Sequence, residues 1–219
     1  MATGIVRSAL RDSGIELIAS CTIEAYDKRA PADFRSSALM PNARGLIVAA
    51  SAGPALWAAF RKKTLADPTL WAHPQPYDTF VASVLARADA ALTRERVAFR
   101  RFDAAFHAPI RIDFIAIAQL VGLGSPSPFR LLIHHEHGPW WALRGAWLVD
   151  ADVDPPLARR PPCVGCAAPC IGGWAGPGRD SSATPEVRSR CVVGQGSRYT
   201  SEQIAFHYGG TRPTDPPAK

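Results

Sequence analysis

The sequence lacks an apolar run long enough to cross a membrane. No stretch reaches the roughly eighteen consecutive apolar residues that a transmembrane helix needs. The N-terminal stretch also lacks the pattern of a signal peptide, because Arg7, Arg11 and Glu16 interrupt its apolar residues and no small-residue cleavage site follows a basic segment. We therefore expect a cytoplasmic protein without a membrane partner.

Patterns for binding nucleotides and nucleic acids are also missing. There is no phosphate-binding GxxxxGK[ST] motif, and Gly122 and Gly124 are not followed by the rest of a dinucleotide fingerprint. The net charge is +6, but the basic residues are dispersed, and the densest run, 94–101, is typical of a solvated strand or helix end. We expect no nucleic-acid partner, since no broad basic face with stacking aromatic residues is visible. A pocket for an anionic ligand would explain the surplus arginine equally well.

Cysteine is scarce and unevenly distributed. The chain has five cysteines, and an odd number in a cytoplasmic protein argues against a disulfide framework. Cys163, Cys166 and Cys170 have the spacing C-x2-C-x3-C and could supply three thiolates to an iron–sulfur cluster, with Cys191 as a distant fourth. Trp174 stands near the place of the last cysteine of a ferredoxin motif. A degenerate cluster site, a tetrahedral zinc site and four free thiols all remain open.

Composition and apolar spacing predict one globular domain. The 219 residues, 47% of them apolar, suffice to bury a sizeable core. The apolar run Leu46–Ala50 predicts a buried strand, and helical spacing predicts a helix over 80–92. An amphipathic helix is predicted over 4–19, interrupted by Gly14, and a second helix from Pro54 to about Lys63. A loop over 64–77 and a strand over 97–103 are also predicted. A further helix is predicted over 112–121, with Gly122 and Gly124 at its C-cap.

The second half of the chain predicts the fold class. Residues 129–133 and 141–149 flank a Gly138-Pro139 turn and are typical of an antiparallel hairpin. This hairpin favours an α+β sandwich over a doubly wound parallel sheet. We expect a single domain over 1–212 with a loop-rich, cysteine-containing cap over 152–200, little periodicity until 200–207, and a disordered tail over 213–219.

Three histidines lie in the stretch 133–145, IHHEHGPWWALRG. Alternation along an extended strand would place His135 and His137 on one face and His134 on the other. The three could bind zinc, but ordinary surface or core histidines are the more common use of such residues. A third use is contact with a large planar cofactor, because imidazoles donate hydrogen bonds to amide or phosphate oxygens.

The residues that follow the histidines fit the wall of a ligand pocket. Trp140 and Trp141 offer flat apolar faces on which a macrocycle can pack. Gly138 and Pro139 form a bend without a bulky side chain, so the backbone could approach a ligand closely, although a plain turn needs the same residues.

Arg144 lies inside an otherwise apolar strand. Burying an unpaired guanidinium group is very costly, so this side chain needs an anionic partner. A structural carboxylate such as Asp150 or Asp152 would satisfy it, and so would the carboxylate or phosphate of a ligand. The residues alone leave both partners open.

These residues resemble the family of cobalamin-processing proteins whose human form is defective in cblC-type methylmalonic aciduria with homocystinuria, a family distantly related to epoxyqueuosine reductase. The resemblance covers about residues 44–208 and is strongest at IHHEHGPWWALRGAWLV, residues 133–149. A second block is RCVVGQGSRYTSEQ, residues 190–203, and a third is His107 and Pro109 ahead of an alanine-rich helix. Pro139 departs from the family, which commonly has glycine there.

The resemblance implies a nitroreductase-like (flavin-reductase-like) α+β fold and the removal of the upper axial ligand of cobalamin, by decyanation or by glutathione-dependent dealkylation. It also implies roles for individual residues. His107 and His134 would lie near the corrinoid, Gly138, Trp140 and Trp141 would shape its pocket, Arg144 and Arg190 would bind glutathione, and Arg212 would be a third such arginine if a small gap is allowed.

The resemblance leaves the electron donor and the catalytic status open. Reduced flavin such as FMN, glutathione or a partner reductase would supply electrons, while cobalt itself breaks the bond. The cysteine segment instead resembles epoxyqueuosine reductase, in which ferredoxin-type clusters feed electrons to cobalt. Besides the enzyme, a non-catalytic cobalamin carrier and an iron–sulfur reductase of the epoxyqueuosine type therefore remain alternatives.

Overall fold

Four antiparallel strands form the central sheet of the protein. The computed structural model describes residues 1–105, 112–170 and 184–210. Its strands are β1 (Leu17–Thr22), β2 (Gly45–Ala52), β3 (Phe99–Asp103), β4 (Ser125–Pro126), β5 (Leu132–Ile133) and β6 (Trp141–Val149). The central sheet has the order β1-β2-β6-β3, and the short strands β4 and β5 pair in a separate sheet. The predicted α+β class with an antiparallel sheet is confirmed.

Helices cover both faces of the central sheet. They are α1 (Ala2–Ala9), α2 (Ile23–Asp27), α3 (Ser36–Leu39), α4 (Ala55–Ala66), α5 (Pro68–Ala72), α6 (Pro76–Arg94), α7 (Phe114–Leu120), α8 (Pro185–Ser189) and α9 (Ser201–Gly209). Ile47 and Ala49 of β2 pack with α1, α4 and α6, whereas Leu46 and Val48 pack with α2 and α7. Burial of β2 on both faces explains its uninterrupted apolar run.

The predictions for α6 and α7 are confirmed. The apolar positions of α6 form its buried face, and Pro76 begins the helix, where a missing N–H costs no hydrogen bond. The side chain of Asp113 accepts a hydrogen bond from the amide of Ala116 at 2.9 Å and caps α7. Gly122 follows α7 with a φ of +77°, as its predicted C-cap role requires. Gly124 instead packs closely against the ring of Trp141.

The predicted helix over 4–19 is wrong in its second half. Helix α1 ends at Ala9, and residues 17–22 form the edge strand β1. Gly14 has a φ of +84° and packs so closely on the backbone of Leu56 that a Cβ atom would lie 2.4 Å from its nitrogen. Pairing with β2 therefore overrides the local helical pattern beyond this glycine.

The predicted loop over 64–77 is also wrong. Helix α4 continues to Ala66, α5 occupies Pro68–Ala72, and α6 begins at Pro76. Two of the prolines that suggested a loop stand in the first turn of a helix, where proline is favoured.

The predicted hairpin of 129–133 with 141–149 does not form. β5 pairs with β4, whereas β6 pairs with β2 and β3. Between them the chain makes a tight turn, in which His134 and Gly138 exchange two backbone hydrogen bonds of 2.9 and 3.0 Å. This turn separates the two sheets, so each strand takes its partner from elsewhere in the chain.

The described part of the cap is irregular, as predicted. Residues 152–160 contain neither helix nor strand, and α8 has only five residues. The boundaries of the domain stay a prediction, and the tail over 213–219 lies outside the described residues. Among the described helices, none has both the length and the apolar character to span a membrane.

Candidate functional site

The first half of β6 has a strand neighbour on one side only. β3 pairs with β6 from Gly145 to Val149, and the amide of Ala104 donates to the carbonyl oxygen of Arg144 at 3.0 Å, so only 141–143 has β2 as its sole strand neighbour. A groove of about 270 Å³ lies along this open edge, and we call it the β6 groove. It is lined mainly by apolar side chains from α7, β4, β5 and β6, with arginines at its rim, namely Ile115, Gln119, Pro126, Arg130, Leu131, Leu132, Pro139, Trp141, Ala142, Leu143 and Arg188.

Arg144 occupies an irregular position beside this groove. Ala49 pairs with Gly145 and Ala50 with Leu143, so Arg144 is the extra residue of a β-bulge. Bulges re-aim side chains and are common next to active sites. A second cavity of about 40 Å³ adjoins the β6 groove through Leu143 and is lined by Arg144.

Asp150 and Asp152 were the structural carboxylates that the sequence suggested for Arg144, and neither of them pairs with it. Asp150 accepts a hydrogen bond from the amide of Ala98, and Asp152 pairs with Arg44. Nε of Arg144 donates to Oγ of Ser51 at 2.8 Å, which is a neutral partner. Within the described residues no carboxylate lies within ion-pair distance of this guanidinium group, which favours a ligand anion as its partner.

Aromatic side chains surround Arg144. Its guanidinium carbon lies 5.2 Å from the ring centre of Tyr77, and Tyr77 contacts His207 of α9 edge to face at 4.9 Å. Burial raises the pKa of Tyr77 and of Tyr199, while the charge of Arg144 lowers both. Desolvation lowers the pKa of His207, and the charges of Arg144 and Arg188 lower it further, although the residue as a whole is exposed. Tyr77, Tyr199 and His207 are therefore neutral, and they lie near the cations Arg144 and Arg188.

The structure places Arg188, rather than Arg190, in this environment. Nη1 of Arg188 donates to the carbonyl oxygen of Pro139 at 2.8 Å, and its guanidinium group lies over the ring of Tyr208. Arg190 is exposed at the C-cap of α8, and its glutathione-binding role stays a prediction. Sequence reasoning missed Arg188, because nothing in its local pattern separates it from the neighbouring arginines.

His134 organises the turn that precedes β6. Its Nδ1 accepts hydrogen bonds from the amides of Glu136 and His137 at 3.1 and 3.2 Å. Burial lowers the pKa of His134 to about 3, and the neighbouring His135 and His137 lower it too, so the ring is neutral and an acceptor at physiological pH. Since only 1% of the residue is exposed, a role beside the corrinoid stays a prediction.

The three histidines are not arranged as on an extended strand. The ring of His134 lies 4.2 Å from that of His135 and 4.8 Å from that of His137, so the predicted alternation is wrong because the segment is a turn. His134, His135 and Glu136 each have a ligand atom within 4.8 Å of the others. His137 instead bonds Ser197 through Nδ1 at 2.8 Å. As a metal site the group is poor, since Nδ1 of His134 is already occupied by amides.

The other pocket residues predicted around the bend take different positions. Trp141 lines the β6 groove and donates from Nε1 to the carbonyl oxygen of Leu132 at 2.9 Å. Trp140 is fully buried and packs edge to face against Tyr199. Gly138 has a φ of +55°, and the space beside it is filled by the carbonyl of Val193. The close approach at Gly138 is therefore to another loop of the chain.

Four cysteines, from two segments of the cap, meet in one apolar cluster. Cys163, Cys166, Cys170 and Cys191 line a single small cavity next to Phe129. The sequence prediction that these four share a site is thus compatible with their placement, and their ligand stays a prediction. The predicted site residues His107 and Arg212 lie outside the described residues.

Comparison with known proteins is informative at the level of structure only. No protein-family model matches the chain, and a search of the curated proteins finds no match. Among solved structures, the fold is similar to that of the epoxyqueuosine reductases. The chain is similar to the enzyme of Streptococcus thermophilus, with a TM-score of 0.53 and 16% identity over 88% of this chain and 54% of that one. It is also similar to the enzyme of Bacillus subtilis, with a TM-score of 0.50 and 13% identity over 78% and 50%.

A B12-trafficking protein gives a higher similarity. The chain matches the protein CblC of C. elegans, described as a human MMACHC homologue, with a TM-score of 0.65 and 17% identity over 97% of this chain and 91% of that one. The chain thus spans nearly all of CblC but about half of the epoxyqueuosine reductases. Identities this low show the shared fold alone. The structural similarity confirms the α+β fold that the sequence resemblance implies.

Proposed function

We propose that this protein binds a cobalamin at the β6 groove and removes its upper axial alkyl ligand with glutathione as the acceptor. Arg144 is the observation that carries the proposal, because it is a cation in the cavity next to the groove and no described carboxylate lies within ion-pair distance of it, although Asp78 and Asp103 line the same cavity. Support also comes from the fold, which is similar to that of a B12-trafficking protein over nearly the whole chain.

The β6 groove has the surface that a corrinoid needs. Trp141, Leu132 and Leu143 offer apolar contact to a flat macrocycle. Arg130 and Arg188 also line the groove and would bind polar amide side chains of the ring. A corrinoid is larger than the 270 Å³ enclosed by the groove, so the ring would lie against its open face, with one edge facing Arg144.

Arg144 would position the thiol. Glutathione carries two carboxylates, and a guanidinium group binds a carboxylate through two parallel hydrogen bonds. Ser51 holds Nε and Tyr77 packs against the guanidinium plane, so the side chain is oriented before the thiol arrives. From its cavity next to the groove, a pre-oriented cation would bring the thiol sulfur towards the upper face of the bound ring.

The proposed reaction transfers an alkyl group to sulfur. The thiolate attacks the alkyl carbon, an S–C bond forms, and the cobalt–carbon bond breaks with both electrons remaining on cobalt. The thiol proton leaves to solvent, and cobalt falls from the +3 to the +1 state. The chain would contribute binding, orientation and exclusion of water, while cobalt supplies the leaving group.

The test is to mix the protein anaerobically with methylcobalamin and glutathione and to follow the visible spectrum. We expect conversion to reduced cobalamin and formation of S-methylglutathione in equal amounts. Binding of methylcobalamin without conversion would favour the alternative function, that of a non-catalytic cobalamin carrier. Absence of binding would refute the proposal as a whole.

Decyanation is tested separately with cyanocobalamin. This reaction requires an electron donor, and reduced FMN or a partner reductase would serve. Loss of cyanide only when reduced flavin is added would establish the flavin as the donor, whereas loss with glutathione alone would assign both reactions to the thiol.

A further inference from the structure

The small cavity next to the β6 groove is lined by charges of both signs. It encloses about 40 Å³ and adjoins the groove at Leu143. Arg144 lines it from β6, Asp78 from the first turn of α6, and Asp103 from the end of β3. At roughly 10–15 Å³ per water molecule, the cavity has room for a small charged group but not for a whole tripeptide.

The opposite charges in this cavity do not pair with each other. Within the described part of the chain, no ion pair joins Arg144 to Asp78 or to Asp103, and Asp78 forms no other ion pair. Ser51 holds Nε of Arg144, and the guanidinium group lies over the ring of Tyr77, so this side chain is already fixed. Burial raises the pKa of Tyr77, the charge of Arg144 lowers it and the charge of Asp78 raises it, so both charges lie near this one hydroxyl group.

Carboxylates outnumber guanidinium groups around the cavity. Asp103 pairs with Arg101 through Oδ1 at 2.8 Å, but Arg101 also pairs with Asp89. Once Arg144 holds a ligand carboxylate, no cation of this set remains for Asp78. A ligand with a carboxylate alone would therefore place a second negative charge near Asp78, whereas a ligand that also carries an ammonium group would compensate it.

The two ends of glutathione differ in this respect. The glycine carboxylate stands alone, whereas the γ-glutamyl carboxylate shares its carbon atom with an ammonium group. Val81, Ala82 and Leu85 of α6 also line the cavity and offer apolar contact to the methylene groups of a γ-glutamyl chain. Because Leu143 lines both the cavity and the β6 groove, the cysteine of the same ligand would lie towards the groove.

We propose that Arg144 and Asp78 together bind the γ-glutamyl head of glutathione, Arg144 through its α-carboxylate and Asp78 through its α-ammonium group. This head-group site rests on the thiol-dependent function proposed above, and it fixes which end of the thiol enters the cavity. The glycine end would contribute little to binding.

The direct test is the binding of S-methylglutathione, the product of the proposed reaction, to the full chain by isothermal titration calorimetry. N-acetyl-S-methylglutathione keeps both carboxylates but has no ammonium group, and we expect it to bind about tenfold more weakly. S-methyl-γ-glutamylcysteine, which lacks the glycine, should bind nearly as tightly as S-methylglutathione. Absence of binding, equal affinity for the acetylated and the free amine, or a larger loss on removal of the glycine would each overturn the proposal.

Two substitutions then assign the charges. Asp78→Asn should weaken the binding of S-methylglutathione about tenfold and leave that of the N-acetyl derivative nearly unchanged, because the derivative has no ammonium group to lose. Arg144→Ala should weaken the binding of both ligands. Asp33→Asn is the matched control, since Asp33 is exposed and does not line the cavity. Equal losses for both ligands with Asp78→Asn would refute the assignment. Should that variant fail to fold, as judged by circular dichroism, the comparison of the ligands on the unmodified chain still decides the proposal.

Dealkylation by 2-mercaptoethanol separates the head-group site from the proposed function, because that thiol has no amino-acid head. Conversion of methylcobalamin by 2-mercaptoethanol without any binding of S-methylglutathione would overturn the head-group site and leave dealkylation standing. Selective binding of S-methylglutathione over its N-acetyl derivative, without dealkylation by either thiol, would refute dealkylation and support the head-group site.

Discussion

Replacing Arg144 by alanine should slow glutathione-dependent dealkylation and leave corrinoid binding nearly unchanged. Ser51 uses Nε of Arg144, so the two Nη groups are the ones that would hold a carboxylate of glutathione. A charge-assisted hydrogen bond contributes about 1.5–3 kcal/mol, which corresponds to a roughly 10- to 150-fold loss of rate at low thiol concentration. The apolar wall at Trp141 and Leu143, which would bind the ring, remains in place.

The assay compares two thiols. Initial rates of methylcobalamin conversion are measured without oxygen, once with glutathione and once with 2-mercaptoethanol, which has no carboxylate. If Arg144 binds the carboxylate, the variant should react normally with 2-mercaptoethanol and poorly with glutathione. Arg94→Ala is the control, because Arg94 is 76% exposed at the end of α6 and should leave both rates unchanged.

Two results would refute this reasoning. Equal losses of rate with both thiols would mean that Arg144 acts on the corrinoid or on the fold. A parallel loss of corrinoid affinity, measured by titration, would assign Arg144 to the corrinoid itself. Arg144→Lys adds a further check, since an ammonium group lacks the two-pronged geometry and should recover only part of the rate.

Three further changes test other parts of the structure. Gly138→Ala should lower the free energy of unfolding in urea by about 1–3 kcal/mol, because Gly138 has a φ of +55° and a Cβ atom would meet the carbonyl oxygen of Val193 at 2.1 Å. His134 has a pKa of about 3 when folded and 6.5 as a free side chain, so the unfolded state binds more protons between these values and stability falls as the pH falls. Between pH 7 and pH 5, the free energy of unfolding in urea should therefore fall by about 1–2 kcal/mol less for His134→Asn than for the unmodified chain. Glu202→Gln should lower the free energy of unfolding by about 1–3 kcal/mol, because it removes the ion pair with Arg61, whose side chain is 8% exposed.

Each of these changes has a matched control. Gly4→Ala should be neutral or stabilising, because a Cβ atom at this position of α1 has no neighbour within 4 Å. His73→Asn, the same substitution at an exposed histidine, is the control for the histidine change. Glu95→Gln, in an exposed ion pair, should change stability by less than about 0.5 kcal/mol. A tested variant that behaves like its control would contradict the contact on which its prediction rests.

Local patterns predicted the elements that are buried along their whole length. The apolar run of β2 and the helical spacing of α6 reflect faces packed into the core, so both were visible without knowledge of the fold. β1 was missed because its identity depends on pairing with β2 and on a glycine with positive φ, neither of which the local pattern reveals. The predicted strand partner of β6 was wrong because strand pairing is non-local. The turn at 134–138 leads the chain from one sheet into the other.

The candidate site was predictable only in part for the same reason. Arg144 stood out because a charged residue in an apolar strand needs a partner. Tyr199 comes from the cap and His207 from α9, and the charges of Arg144 and Arg188 act on both, so this grouping depends on tertiary packing that the sequence does not show. Gly138 was expected to face a ligand, but a sequence does not show which backbone comes close to a glycine.

The absorption spectrum of the protein after incubation with methylcobalamin and gel filtration tests the central claim most directly. The account predicts that about one corrinoid per chain elutes with the protein with an altered spectrum, and that added glutathione converts it to reduced cobalamin. Protein that elutes free of corrinoid at saturating concentration would contradict the assignment of the β6 groove as a cobalamin site.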